Sequence, residues 1–367
     1  VKIAFVTTNL RGGGAEKALL KLAAALAGRQ HEVHVILLEH VIEHAADAAF
    51  RLHALSRPGQ QVTKGYFGKF LAAWKLARLH RRLECDMPFD MTISTLPFAD
   101  EVAAQARLPR LWHRIANTLS AEIAALRKSS PGKAGRRLAR YRRLYDGRNL
   151  IAVSDGVAED LRNGLGLARA NIVRIYNLFD AEAIRQQAQA PEPDLPSQPY
   201  VLHIGRFARQ KRHDLLFEAF RSLPEPYRLV LLVNPDAALD AMLDRCGIRE
   251  RTIVAGFRTN PYPWIGKAAL LVLCSDHEGL PNVLIEALIC GTRVVSTDCP
   301  SGPREILEGE LGRFLVPMND PAALGRAMQQ ALAADLVISA RHFSKFAADS
   351  VLQQCEALPQ LWRPDGL

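Results

Sequence analysis

The chain has 367 residues, and no stretch of it approaches the roughly 18 to 20 consecutive apolar residues of a membrane-spanning helix. A helical channel or integral transporter is thereby excluded. Cysteine is sparse: the six, at 85, 246, 274, 290, 299 and 355, show no Cys-x-x-Cys spacing. That removes a disulfide framework and a zinc ribbon, and leads to the expectation of reduced core cysteines in a cytoplasmic protein. Metal chemistry finds no support either. His31, His34, His40 and His44 cluster on or just past one strand with no cysteine pair within ligand spacing, so packed or solvated histidines are expected and no metal. Aromatic residues make up 7% of the chain, and no basic strand interleaved with aromatics of the kind single-strand nucleic-acid binders use is present. No charged leader or cleavable apolar segment stands before the first strand-like run, Val1 to Val6, so export is not expected. No internal repeat or heptad array is visible, which removes solenoids and coiled coils.

What is present is a regular alternation of strand-like and helix-like stretches, the pattern of parallel sheets flanked by helices. Strands are predicted near 2–7, 32–38, 91–94, 110–115, 150–153 and 172–175, then near 200–204, 228–233, 252–254, 270–273, 293–295 and 313–315. Helices are predicted over Ala15 to Ala27 and Phe70 to Leu83, and near 211–222, 237–246, 282–290 and 321–333. The chain is too long for one ordinary core. Four prolines and polar composition between Gln186 and Pro199 read as an interdomain linker. The expected fold class is α/β: two Rossmann-like, doubly wound parallel-sheet domains, 1–180 and 200–340, joined by a linker at 181–199. Ligands of such sheets bind beyond the carboxyl ends of the strands, here in an interdomain cleft.

The charge is unevenly spread. Net charge is +9, yet residues 1–178 hold 28 Lys and Arg against 15 Asp and Glu, while the remainder holds 19 against 23. The densest run, Arg136, Arg137, Arg140, Arg142 and Arg143 with Arg127, Lys128 and Lys133 upstream, forms a basic, partly amphipathic helix suited to an anionic partner.

Three motifs carry chemistry. Asn9-Leu-Arg-Gly-Gly-Gly-Ala-Glu16 joins the first strand to a helix, and its glycines let backbone N–H groups approach an anion at a helix N-terminus. A dinucleotide loop is the rival reading: Glu39 ends the second strand where a ribose-binding acid would stand, but Gly12-Gly13-Gly14-Ala-Glu-Lys17 lacks the third glycine. In the second half the strand 200–204 runs into Gly205 and Arg206, with Lys211 five positions on, a spacing that brings a bidentate guanidinium and a mobile ammonium to one anion. Nearby Arg209 and Arg212 are expected to be solvated. Finally Glu278-Gly-Leu-Pro-Asn-Val-Leu-Ile-Glu286 follows an apolar strand and opens a helix, with Glu278 in the loop and Glu286 among apolar neighbours that demand a hydrogen-bonding partner for it. Carboxylates for hydroxyls and cations for phosphates describe a nucleotide-sugar site.

Taken with Ala152-Val-Ser-Asp-Gly-Val157 and Ile175-Tyr-Asn-Leu-Phe-Asp180, these strings in this order resemble the retaining family 4 glycosyltransferases of GT-B fold, over nearly the whole chain. The resemblance implies that Glu278, Arg206 and Lys211 are catalytic, Glu278 facing the hexose and the two cations the leaving diphosphate. It implies donor binding by Gly13, Gly14, Gly205, Gly279, Leu280 and Asn282, with Glu286 on the ribose hydroxyls and Phe257, after Gly256, beside the base. Phe257 as ordinary core is equally open. It also implies a terminal helix, about 341–367, that packs back on the first domain. Two departures stand out. In Trp112-His-Arg-Ile-Ala-Asn-Thr-Leu-Ser120 the family's histidine position holds Ala116, with His113 shifted toward the core, so Arg114 and Asn117 are taken as acceptor or substrate contacts. Val233-Asn-Pro-Asp236 replaces a glycine-rich turn.

The function expected is retaining transfer of a hexose or N-acetylhexosamine from a nucleotide diphosphate sugar, most simply a UDP-sugar, to a lipid-linked glycan or lipopolysaccharide core. No cofactor is implied beyond the nucleotide-sugar co-substrate, and catalysis is expected to be metal-independent. Arg136, Arg137, Arg140 and Arg143 would form the patch facing the acceptor or an anionic inner-leaflet membrane surface, placing a cytoplasmic protein peripherally on the inner face of the cell membrane. A GT-B nucleotide-sugar epimerase and an NAD-dependent Rossmann enzyme are the alternatives. A nucleic-acid partner would leave the glutamates and the glycine loop unexplained.

Overall fold

The computed structural model describes residues 1–11, 13–42, 49–58 and 67–364; Gly12 and His44 lie outside them. The chain forms two compact units, Val1–Leu178 with the segment from Ala348 onward, and Phe179–Ala347.

The first unit is built on β1 (Lys2–Thr7), β2 (Glu32–Leu37), β3 (Arg51–Ala54), β4 (Met91–Thr95), β5 (Leu111–Ile115), β6 (Asn149–Ala152) and β7 (Asn171–Arg174). These form one parallel sheet in the order β3-β2-β1-β4-β5-β6-β7, with Ile3 level with both Val33 and Met91. The strand order reverses beside β1, and the loop at its carboxyl end carries the glycines, as the switch-point rule expects. β1 and β4 are buried along their whole length. Edge strand β3 escaped prediction because Arg51-Leu-His-Ala54 contains no apolar run, and its pairing with β2 is what orders it.

The segment after Ala348 completes this unit. Helix Ala348–Glu356 packs on helix Gly14–Gly28, and Glu356 accepts from Arg29 Nη1 at 3.2 Å and meets His31 Nε2 at 3.0 Å. Beyond it, Asn171 Nδ2 donates to the Leu361 carbonyl (2.9 Å) and Asn149 Nδ2 to that of Arg363 (2.8 Å).

The second unit holds β8 (Tyr200–Ile204), β9 (Arg228–Leu232), β10 (Thr252–Val254), β11 (Leu270–Leu273), β12 (Val294–Thr297) and β13 (Leu315–Val316), all parallel, in the order β10-β9-β8-β11-β12-β13. Here the reversal lies between β8 and β11, where Val201 faces Leu270 and Leu202 faces Leu271. The two loops that carry Gly205 to Lys211 and Glu278 therefore leave neighbouring strands at the switch point. The proline-rich segment belongs to this unit. Asp180 caps helix Ala181–Ala188, Arg185 Nε donates to the Ile289 carbonyl (3.1 Å), and Asp194 pairs with Arg258 at 2.7 Å.

Candidate active site

Three loops of the second unit are stitched together above the ends of β8, β11 and β12. The Asp276 amide donates to the Gln210 carbonyl (2.8 Å), and Gln210 Nε2 returns to the His277 carbonyl (2.5 Å). Beside these two ties lies an ion pair: Lys211 Nζ stands 2.6 Å from Glu278 Oε1, the two side chains 20% and 12% exposed. The Glu278 amide donates to Pro300 O at 3.1 Å, which fixes the loop after β12 to the same assembly. Gly302 in that loop has φ +99°, and a Cβ built there would lie 2.3 Å from Pro281 Cδ and 3.1 Å from Gly279 O. Close approach of two backbones, not flexibility, is why glycine stands there.

Lys211 is thus brought to Glu278, with Gly205 against them: a Cβ on Gly205 would meet the Lys211 stem at 3.5 Å. Arg206 is exposed. The helix predicted from 211 begins two residues later, at His213, because Arg212 sits in the left-handed region with φ 50°. Its guanidinium chelates Asp214, reaches Asp276 at 3.0 Å and bonds Asn319, so the solvated role expected for Arg212 is corrected. Those carboxylates hold its guanidinium more firmly protonated than usual. The brace gave little spacing signal because, apart from the local Asp214, its partners Asp276 and Asn319 lie 64 and 107 positions further along the chain.

Glu286 lies half-buried in helix Asn282–Ile289 and accepts from Tyr262 Oη at 3.2 Å, the partner its apolar neighbours demanded. Burial, then the nearby Glu286 charge, pushes the Tyr262 phenol upward, so it stays a donor. Leu280 and Gly279 are buried and Asn282 half-buried at the start of that helix. Phe257 is 54% exposed, after Gly256 at φ 80°, so it is not core. Asp236 of the departing turn caps helix Ala237–Cys246 through the Ala238 amide (2.8 Å).

Directly beneath Gly205 two neutral imidazoles pack edge to face, His203 and His213, with ring centroids 4.8 Å apart. His203 Nδ1 donates to Val272 O (2.9 Å), while both nitrogens of His213 lack hydrogen-bond partners among the described residues. Burial, with each neighbouring cation adding to it, lowers them to about 3 and about 4 respectively. Because the folded state disfavours the protonated rings, their contribution is complete above about pH 6.5 and drains away as pH falls toward those values. Urea midpoints between pH 7 and pH 4.5 should therefore fall, and His213→Phe, which keeps the contacts with Phe207 and Phe217, should flatten that decline. Parallel declines in variant and parent would contradict the assignment.

In the first unit Gly13 precedes helix Gly14–Gly28 as an uncapped N-cap, and a Cβ on it would collide with the Glu16 carboxylate at 2.1 Å. Glu39, the acid of the dinucleotide reading, accepts from Asn9 Nδ2 at 3.3 Å. Arg114 is 4% exposed on β5, bonds Asn177 through Nη2, and leaves Nη1 without a partner among the described residues; burial lowers it to about 10. Asn117 is half-buried two residues beyond β5. His113 does face the core, where Ser94 Oγ lies 2.7 Å from its Nδ1 and 2.5 Å from Asp100, and Asp100 also accepts from Tyr145 Oη (2.8 Å). This buried polar cluster, in which His113 Nε2 is left without a partner among the described residues, anchors the end of the basic helix to the sheet. Ser154 and Asp180 of the two remaining motifs are helix caps, on Val157 and Ala183.

Comparison with known proteins decides the family. The description "Glycosyltransferase Family 4" matches residues 12–183 and "Glycosyl transferases group 1" matches 198–334, together most of the chain. The chain belongs to the family 4 glycosyltransferases of GT-B fold. Among relatives of this glycosyltransferase is the N-acetylgalactosamine-N,N'-diacetylbacillosaminyl-diphospho-undecaprenol 4-alpha-N-acetylgalactosaminyltransferase of Campylobacter jejuni, 28% identical over 91% of both chains. Another is the lipopolysaccharide core biosynthesis glycosyltransferase LpsE of Rhizobium meliloti, 26% identical over 80% of this chain and 84% of its own. HepE of Anabaena, solved with UDP and glucose, superposes with a TM-score of 0.71 at 19% identity, covering 98% of this chain and 99% of its own. That likeness establishes the fold.

In this glycosyltransferase the nominated patch lies on helix Pro131–Tyr145, whose inner face buries Ala134, Tyr141 and Tyr145. Arg137 and Arg140 are paired with Glu122 and Glu101, whereas Arg136 and Arg143 are exposed. Sequence reasoning predicted helix Gly68–Leu83 but missed a second surface feature on it, its outward apolar face. The six cysteines are free thiols; Cys274, Cys299 and Cys355 are buried as expected, but Cys85 is exposed. Among the described residues no helix is long and apolar enough to cross a membrane, and no three metal-ligating side chains cluster.

Proposed function

We propose that this glycosyltransferase moves a hexose or N-acetylhexosamine from a UDP-sugar, with retention at the anomeric carbon, to a hydroxyl of a lipid-linked glycan or lipopolysaccharide core. The observation that carries the donor half is the Lys211–Glu278 pair held at the ends of β8 and β11. An ammonium there can take the charge that builds on a departing diphosphate, while the Glu278 carboxylate can accept from a sugar hydroxyl. Arg206, exposed six residues after β8 begins, adds a second cation. With two cations on the leaving group, transfer requires no divalent metal and no cofactor, and activity should survive chelation.

Retention follows in this reading from front-face departure and entry, with a donor phosphate oxygen taking the acceptor proton. Glu278 does not act as nucleophile, since its carboxylate is engaged by Lys211 and its role is to hold the sugar. Glu286, oriented by Tyr262, takes the ribose hydroxyls, and the exposed face of Phe257 the base. The acceptor half is supported by the C. jejuni and R. meliloti relatives, whose names specify a diphospho-undecaprenol acceptor and the lipopolysaccharide core. With such an acceptor the protein would work peripherally, at the inner face of the cell membrane.

The test is a panel of UDP, GDP, ADP and NAD in thermal unfolding. Binding to the native state at a hundredfold excess over Kd adds about 2.7 kcal/mol of stability. A response to UDP alone is expected. GDP alone would change the donor series, and a response to NAD alone would return the Gly13–Gly14 loop and Glu39 to the dehydrogenase reading.

A further inference from the structure

Helix Gly68–Leu83 presents an unusual outer face. Phe67, which caps it, and Phe70, Leu71 and Trp74 are 71%, 64%, 46% and 56% exposed. Their spacing of three and four residues puts them in one stripe, opposite the buried Ala72, Ala73, Leu76 and His80. Single exposed apolar residues are ordinary, but three large aromatics and a leucine in a row mark a surface that meets something. The same stripe continues into Arg78 and Arg81, also exposed, with Arg82 beside them, and the helix contains no acidic residue. Arg78 already lies over the Trp74 ring, 5.6 Å from its centroid.

We infer that this helix seats the first unit on an anionic lipid bilayer, the aromatic half entering the headgroup boundary and the arginine half meeting lipid phosphates. Charge complementarity selects this occupant. A second copy of this helix offers the arginines no carboxylate, since it contains none, and an apolar protein partner would leave them unpaired. The neighbourhood extends the positive field: helix Pro97–Gln105 packs against both helix Gly68–Leu83 and helix Pro131–Tyr145, and its Glu101 accepts from Lys69 on one side and Arg140 on the other. Lys133, Arg136 and Arg143 are exposed on that second helix, on the side away from its buried tyrosines. Trp and Phe with flanking arginines are the composition of an interfacial helix that lies in the membrane plane. The purpose of this contact rests on the lipid-linked acceptor reading, but its physics does not, so the test contains neither acceptor nor sugar.

The full chain is floated with phosphatidylcholine vesicles, with and without about a quarter phosphatidylglycerol. Binding to the anionic vesicles is expected, weakening as salt is raised. Phe70→Ser with Trp74→Ser should reduce it by at least about tenfold, and Arg78→Gln with Arg81→Gln should reduce it and flatten the salt dependence. UDP stabilisation of the same variants, expected to be unchanged, shows that they are folded. No flotation of the parent, or equal flotation of the Phe70/Trp74 variant, overturns the inference. So does loss of self-association in that variant with vesicle binding intact, which would identify a second copy as the occupant. Vesicle binding without any UDP response would leave this surface standing and sink the donor reading instead.

Discussion

Glu278→Gln is expected to lower sugar transfer by on the order of 10²- to 10³-fold while UDP continues to stabilise the protein. The amide preserves the shape of the carboxylate and removes its charge, so two things change together. The sugar loses a charged acceptor for its hydroxyl, and the Lys211 ammonium, 2.6 Å away, loses its counter-ion. The freed ammonium remains available to phosphate, so affinity for UDP should hold or rise. The decisive comparison is kcat in transfer against the UDP dissociation constant by calorimetry. If both fall in proportion, Glu278 is part of the frame of the nucleotide site and its role toward the sugar is wrong.

Gly302→Ala should be the most damaging single methyl in the second unit. The residue has φ +99° with ψ −56°, outside the regions open to L-residues, at a cost of about 1–3 kcal/mol. The added carbon also meets Pro281 Cδ and the backbone of Gly279 and Leu280, none of which is the tip of a flexible side chain. Either the loop after β12 moves away or the Glu278–Pro281 turn does. Both routes break the bond from the Glu278 amide to Pro300 O, so a lower melting temperature should come with a weakened UDP response. Full retention of both would show that the turn yields without consequence. Gly291→Ala at φ 82° is the control, since open space surrounds it.

The central strands of both sheets were legible because parallel strands buried on both faces read as short continuous apolar runs, and Leu270–Leu273 or Tyr200–Ile204 admit little else. Their adjacency was not written in either run, since strand order depends on crossovers. The resemblance assigned Lys211 to the diphosphate and Glu278 to the hexose; their direct ion pair was not legible, since the sequence separates them by 67 positions. Arg212 was misread as solvated because its partners Asp276 and Asn319 come from other loops, and because a left-handed arginine gives no local signal. Helix Gly68–Leu83 shows a different limit. Its existence was plain, but Ala72, Ala73 and Leu76 make one apolar face and Phe70, Leu71 and Trp74 another, and periodicity alone does not say which of two apolar faces is turned to the sheet. His113 was expected inward, and the structure supplies the reason in the Ser94–Asp100–Tyr145 partners.

The tie between Asn149, Asn171 and the backbone of residues 361–363 has a consequence for synthesis on the ribosome. The polar side chains on β6 and β7 wait, with the outer face of helix Gly14–Gly28, for a segment translated only after all of Phe179–Ala347. The nascent first unit therefore carries an unfinished flank while some 170 further residues emerge, and at the usual elongation rates of roughly 5–20 residues per second that interval lasts about 10 to 30 seconds. The second unit, continuous in sequence, has no such delay, so it can reach its final packing before the unit that was made first.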